Sequence, residues 1–254
     1  PPITPVPPPA TDVPFTPESV QQQFAEMVAR GLKKRESQLA MVTAVSRALQ
    51  ENRFMLIEAP TGTGKTFAYL APGVLWARSQ GEPVVISTHT RLLQDQMAAD
   101  LERVRHSLGM AFQAQLLKGM NNYLCLERTT AVFAQTDVAQ LDDEERFAWL
   151  YLFSWLASSE DGLLDRQSFW VSNTFPVLSQ IQDNLRADRG ECSPQRCAAC
   201  QVCFHRLAYD RAAQADIVVM NHALLLAKEW EQEGFPFTRV IVDEAHNLED
   251  TATS

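Results

Sequence analysis

Eight consecutive residues constrain this chain more than any others: Ala59-Pro60-Thr61-Gly62-Thr63-Gly64-Lys65-Thr66. They depart from the phosphate-loop pattern G-x4-G-K-[ST] only at the first position, where Ala59 stands for glycine. A loop that wraps a phosphate with its own N–H groups needs glycine where it turns most tightly, here at Gly62 and Gly64. The start of a helix behind the loop adds positive potential for an anion. Lys65 then reaches the β- and γ-phosphates, the Thr66 hydroxyl ligates Mg²⁺, and Thr61 and Thr63 complete the cradle. The pattern has meaning only between a strand and a helix. Phe54-Met55-Leu56-Ile57 ahead of it reads as a short buried strand, and a helix-compatible stretch follows to about Ser79.

Further apolar runs of strand length recur along the chain. They are Pro83–Ser87, Ala114–Leu117, Asp216–Met220 and Arg239–Asp243, with helical patterns from Glu18, from Glu36 to Leu49 and from about Leu92 to Leu108. Unbroken rather than alternating runs suit strands covered on both faces, and strands that alternate with helices give a parallel α/β sheet flanked by helices. Between Lys118 and about Arg206 the strand signal disappears. Glu144–Leu156 is helical and aromatic there, and a second helical stretch carries Val177, Ile181 and Leu185. This predicts four parts: a Pro-rich linker or tail at 1–16, an α/β lobe at 17–118, a mostly helical insertion at 119–206, and the rest of the lobe at 207–254. Half of the fourteen prolines fall in the first part, which is read as extended and unpacked.

Val240-Ile241-Val242-Asp243-Glu244-Ala245-His246 delivers two carboxylates at the end of an apolar strand, the edge where parallel sheets place ligands. Opposite a phosphate loop, Asp243 is suited to hold Mg²⁺ and Glu244 to orient and deprotonate an attacking water. Alone, such an acidic pair is an ordinary solvated strand end; the upstream loop changes its meaning.

Four of the five cysteines form C-x4-C-x2-C-x2-C at Cys192, Cys197, Cys200 and Cys203, and Cys125 lies far upstream. In a chain with no secretory n- and h-region at its start, such a cluster reads as metal or iron–sulfur ligation before disulfides, and as a cytoplasmic protein. Four thiolates serve a four-iron cluster or Zn²⁺ equally well, and spacing does not choose among five thiols.

Taken together, A-x-T-G-x-G-K-T upstream and Asp243-Glu244-Ala245-His246 downstream resemble the superfamily 2 helicases. Ser87-Thr88-His89-Thr90 with Leu93-Gln94-Asp95-Gln96 resembles the family segment that touches the nucleic-acid backbone, which draws attention to Thr88 and Arg91. Lys34-Arg35-Glu36-Ser37-Gln38 resembles the adenine-reading segment, with the Gln38 amide able to pair bidentately with a base edge. More narrowly, Lys118–Cys125 and Ala215–His222 resemble the DinG group of iron–sulfur helicases, related to XPD. That resemblance implies a RecA-like motor lobe carrying a 4Fe–4S insertion, and its cysteine pattern selects Cys125, Cys192, Cys197 and Cys203, leaving Cys200 spare. It implies ATP-driven 5′-to-3′ translocation on single-stranded DNA, acting at DNA junctions. It also implies an arch domain and a second motor lobe C-terminal to this stretch, and in some members an exonuclease domain before it. A chain ending at the carboxylate pair, without the second lobe's arginines, is expected to bind ATP but barely hydrolyse it. Two competing readings remain at this point: an ATP-dependent nucleic-acid-binding switch without unwinding, and a zinc-bearing RNA-dependent ATPase.

Charge and composition add exclusions. With 22 basic and 31 acidic side chains, the net charge of −9 excludes a wholesale basic coat for nucleic acid, though not a local groove. Arg128, Arg206 and Arg211 flank the cysteines and suit such a groove. Asn221 and His222 follow an apolar strand at its ligand edge, where a nucleic-acid or nucleotide contact competes with a simple structural role. The aromatic run Trp149, Tyr151, Phe153 and Trp155 reads as helix packing ahead of base stacking, and Asp142–Glu145 as a solvated helix start. No apolar run reaches eighteen residues, so no membrane partner is expected. The first residue is not Met, in keeping with a piece of a longer protein.

Overall fold

The computed structural model describes residues 15–30, 36–60, 62–192, 197–227, 229–232, 235 and 237–253. The Pro-rich segment at 1–14, Lys34, Arg35 and Thr61 lie outside the described residues. In chain order the helices and strands are α1 (Pro17–Ala29), α2 (Glu36–Glu51), α3 (Lys65–Gln80), β1 (Val84–Thr88), α4 (Arg91–Leu108), β2 (Ala114–Leu116), α5 (Leu126–Gln135), α6 (Asp143–Ser158), α7 (Phe169–Thr174), α8 (Pro176–Leu185), α9 (Phe204–Ala212), β3 (Ile217–Asn221), α10 (His222–Ala227), α11 (Glu229–Gln232), β4 (Arg239–Val242) and α12 (Leu248–Thr253). They fall into two compact units, one from the chain up to Leu117 together with the stretch from Arg211 onward, the other Lys118–Asp210.

The first unit is built on a parallel sheet in the order β2-β3-β1-β4. Val84 pairs with Ile217 on one side and with Arg239 on the other, so the three strands end level. The central strands are buried along nearly their whole length, as strands covered on both faces must be. Helix α3 is apolar on most of its circumference, with Ala68, Tyr69, Leu70, Ala71, Val74 and Trp76 all buried. A helix with no polar face belongs inside, and each large side chain so covered contributes roughly 1.5–3 kcal/mol. A buried ion pair sits in this core: Arg78 on α3 faces Asp216 at 3.7 Å, and Asp216 also accepts from the Gln113 N–H at 2.7 Å.

One expected element is absent. Phe54-Met55-Leu56-Ile57 forms no strand; Phe54 is 95% and Leu56 79% exposed, and among the described residues β4 pairs only with β1. A four-residue apolar run has the same pattern whether or not it joins a ladder, so its composition could not decide the matter.

The second unit is helical. Leu124, Trp149, Leu152, Leu164 and Leu185 form its main core, and Ala148, Val171 and Leu178 a smaller one. Asp142 caps α6 by accepting from the Glu145 N–H while the Glu145 carboxylate accepts from the Asp142 N–H, so the acidic run is indeed a helix start. The aromatic residues of α6 pack: Trp149 stacks on Phe153 at 5.6 Å, and Phe133 meets both rings edge-on.

Candidate functional site

The parallel strands β1 and β4 end beside the start of α3, and there the two sequence motifs meet. Gly62 and Gly64 adopt φ of +76° and +80°, the left-handed region that lets the loop turn into α3 at Lys65. Lys65 Nζ lies 3.2 Å from Glu244 Oε1, although 179 residues separate them in sequence. Both side chains remain partly open to solvent.

The carboxylate pair is held from several directions. The Asp243 N–H donates to the Ser87 carbonyl at 2.8 Å, which locks the end of β4 against β1. Asp243 Oδ1 accepts from the Glu244 N–H at 3.2 Å and Oδ2 from the Tyr69 hydroxyl at 3.0 Å. Burial raises the Asp243 pKa above the ordinary carboxylate value, while the Tyr69 hydrogen bond opposes that shift. Glu244 itself has φ +54° and ψ +43°, a left-handed conformation that costs a non-glycine residue roughly 1–2 kcal/mol. Strain of this kind persists where the surroundings over-determine it, and it turns the Glu244 carboxylate toward Lys65.

Gln38 on α2 is buried against the same loop. Its Nε2 donates to the Gly64 carbonyl at 3.4 Å, while its buried Oε1 has no hydrogen-bond partner among the described residues. A buried acceptor without a donor is costly, and one beside a phosphate loop is suited to a ligand's amino group. The donor set therefore fits a nucleoside triphosphate: glycine N–H groups and a helix start for the phosphates, Lys65 for their charge, and Gln38 for the base. Thr66, at the start of α3, and Asp243, which accepts from the Tyr69 hydroxyl, are oxygen donors of the kind Mg²⁺ takes.

Two of the four expected nucleic-acid contacts are covered side chains. Thr88 and His222 are fully buried, and the His222 Nδ1 meets the Ser87 hydroxyl at 2.7 Å. Burial lowers the His222 pKa, so the ring is neutral and ties β1 to β3 from within. Asn221 Oδ1 accepts from the Leu224 N–H at 2.9 Å, capping α10. These three side chains serve the ends of the strands, and Thr88 and His222 present no surface to DNA. Nothing is described for the Arg91 side chain.

In the second unit, the thiol of Cys203 is raised in pKa by burial, and also by the nearby Cys125 and Cys197; the N–H groups of Arg206 and His205 act in the opposite sense by favouring its thiolate. The Cys200 Sγ instead accepts from the Arg206 guanidinium at 3.0 Å. Cys192 is exposed. Among the described residues no three His, Cys, Asp or Glu side chains are assembled closely enough to hold a metal ion. Arg128 contacts Glu191 and the Arg186 carbonyl rather than lining an open groove.

A phosphate loop running into a helix, with a carboxylate pair opposite on a parallel sheet, defines a P-loop nucleotide-binding lobe. Comparison with known proteins narrows this. The family described as DEAD/DEAH box helicase matches residues 35–140, and the family DEAD_2 matches residues 191–254. The chain is 36% identical over 232 residues to the ATP-dependent DNA helicase YoaA of Haemophilus influenzae, covering 88% of this chain and 34% of that protein. It is 34% identical over 263 residues to the ATP-dependent helicase DinG of Mycobacterium tuberculosis, covering 93% and 38%. It is 31% identical over 229 residues to the 3'-5' exonuclease DinG of Bacillus subtilis, covering 88% and 23%. The chain thus spans between about a quarter and two fifths of these relatives' lengths. It carries DEAD/DEAH-box helicase sequence over residues 35–140 and is DinG-like in its similarity to these relatives.

Proposed function

We propose that this chain is the ATP-binding first motor lobe, with its inserted iron–sulfur unit, of an ATP-dependent DNA helicase that moves 5′ to 3′ on single-stranded DNA and opens DNA junctions. The observation that carries this reading is the approach of Lys65 to Glu244 at 3.2 Å. It brings together the charge needed on the β/γ-phosphates and the base needed for water attack. In this reading the loop from Thr61 to Thr66 cradles the phosphates, Gln38 reads the adenine edge, and Lys65 stabilises charge on the transferred phosphoryl. Glu244 takes the proton of the attacking water. Mg²⁺, when held by Thr66 and Asp243, supplies further charge neutralisation at the phosphates.

Cys125, Cys192, Cys197 and Cys203 are proposed as the ligands of a 4Fe–4S cluster, which when bound cross-links the cysteine segments of the second unit. Support comes from Cys125 and Cys197 lying near enough to Cys203 to raise its pKa, and from the Arg206 guanidinium bonding Cys200 instead. An arch domain and a second motor lobe following this stretch, and an exonuclease domain preceding it, belong to the same proposal. The last is supported by the name of the Bacillus subtilis relative. Among the described residues no helix is long and apolar enough to cross a membrane, and we place the protein in the cytoplasm.

The test is strand separation by the full-length protein on duplexes with a 5′ or a 3′ single-stranded tail. ATP-dependent unwinding of the 5′-tailed duplex alone is expected. ATP hydrolysis without unwinding of either would favour a nucleic-acid-binding switch, and stimulation by RNA with bound zinc an RNA-dependent ATPase.

A further inference from the structure

Tyr69 lies outside both sequence motifs, yet it stands on the helix that begins in one and bonds the carboxylate of the other. It stands three residues after Thr66 on α3, the spacing that puts two side chains on one helix face. Its ring is 2% exposed, and its hydroxyl donates to Asp243 Oδ2 at 3.0 Å. The Asp243 Oδ1 is occupied by the Glu244 N–H at 3.2 Å, so the carboxylate is gripped at both oxygens and its rotation is fixed. Thr66, one turn earlier on the same face of α3, stands at the helix start, so Tyr69 lies between it and the end of β4. The other neighbour of the hydroxyl, Met97 Sδ at 3.9 Å, is a weak acceptor that does not compete with a carboxylate.

We propose that Tyr69 is the positioning residue of the metal site, aiming the Asp243 carboxylate and registering it against Thr66 so that the two present a preformed pair of oxygen donors to Mg²⁺. The proposal rests on the reading of Thr66 and Asp243 as the magnesium side chains. Tyr69 touches neither the metal nor the nucleotide. It acts through Asp243, as the hydrogen-bonding partner of a metal ligand fixes that ligand's orientation, and loss of such a partner typically lowers metal affinity 10- to 100-fold. The ring fills the buried space beneath the loop, and Tyr69→Phe keeps that ring while deleting only the hydroxyl.

The experiment measures binding rather than turnover. A fluorescent adenine nucleotide is titrated into the full-length protein in EDTA and again across a MgCl₂ series, for the unsubstituted protein, Tyr69→Phe, Asp243→Asn and the double variant. Tyr69→Phe is expected to leave affinity in EDTA unchanged and to raise the Mg²⁺ concentration for half-maximal enhancement about tenfold. In the Asp243→Asn background the same substitution should add nothing. Three results overturn the proposal: an unchanged Mg²⁺ requirement while Asp243→Asn shifts it, an equal loss of affinity with and without Mg²⁺, or loss of cooperative melting in Tyr69→Phe alone, which would make the hydroxyl a folding requirement. If Asp243→Asn itself leaves the Mg²⁺ series unchanged, the metal assignment fails and the proposal for Tyr69 falls with it.

Discussion

Replacing Gly64 with alanine should disturb the loop through Gln38 rather than through the backbone alone, and Gly62 provides the control. Both glycines sit at similar positive φ, +76° and +80°, so an alanine at either pays a left-handed penalty of about 1–2 kcal/mol. At Gly62 a new Cβ meets no atom of the described residues within 4 Å beyond its chain neighbours. At Gly64 it would fall 1.8 Å from Gln38 Nε2 and 3.0 Å from Gln38 Cδ. The amide must therefore swing away, losing its bond to the Gly64 carbonyl and leaving polar atoms buried, a further cost of about 1–3 kcal/mol. Urea denaturation followed by tryptophan fluorescence should show Gly64→Ala losing about 1–3 kcal/mol more than Gly62→Ala. Gly64→Ala and Gln38→Ala should be strongly non-additive, because removing the amide removes the clash. Equal costs at the two glycines, or simple additivity, would refute the close packing of Gln38 on the loop.

Three other outcomes are expected. Gln38→Ala should narrow the affinity gap between ATP and GTP in equilibrium binding, and an unchanged gap would return Gln38 to a purely structural role. Arg78→Leu or Asp216→Leu alone should destabilise the first unit by about 3–5 kcal/mol, since each removes one partner of a buried ion pair, whereas the double variant should recover much of that in chemical denaturation. Iron and sulfide analysis of single serine variants purified without oxygen should find the cluster retained in Cys200→Ser and largely lost at Cys125, Cys192, Cys197 and Cys203; the reverse pattern at Cys200 and Cys203 would shift the ligand assignment by three residues.

The sheet was legible because its strands are continuous apolar runs: 84–88, 217–221 and 239–242 each fall within a residue or two of where composition puts them. The phosphate loop and the carboxylate pair were legible because their chemistry permits few alternatives. What escaped was whatever depends on pairing. The apolar run at 54–57 satisfies the strand pattern without joining the sheet. His222 and Thr88 sit at the ligand edge in sequence, but both side chains are covered in the fold, which composition alone does not reveal. Tyr69 went unnoticed although its three-residue offset from Thr66 was a usable signal, because its partner Asp243 lies 174 residues away.

The proposed hydrolytic pair of Lys65 and Glu244 is tested most directly by ATP binding and ATP hydrolysis, with and without single-stranded DNA, for the full-length protein, Lys65→Ala and Glu244→Gln. Hydrolysis stimulated by DNA is expected in the unsubstituted protein. Glu244→Gln should bind ATP nearly as well while hydrolysis falls by at least about 100-fold, the usual scale for loss of a positioned general base. Lys65→Ala should lose both binding and hydrolysis. Hydrolysis by Glu244→Gln near the unsubstituted rate, or an equal loss of ATP binding in the two variants, would contradict the account.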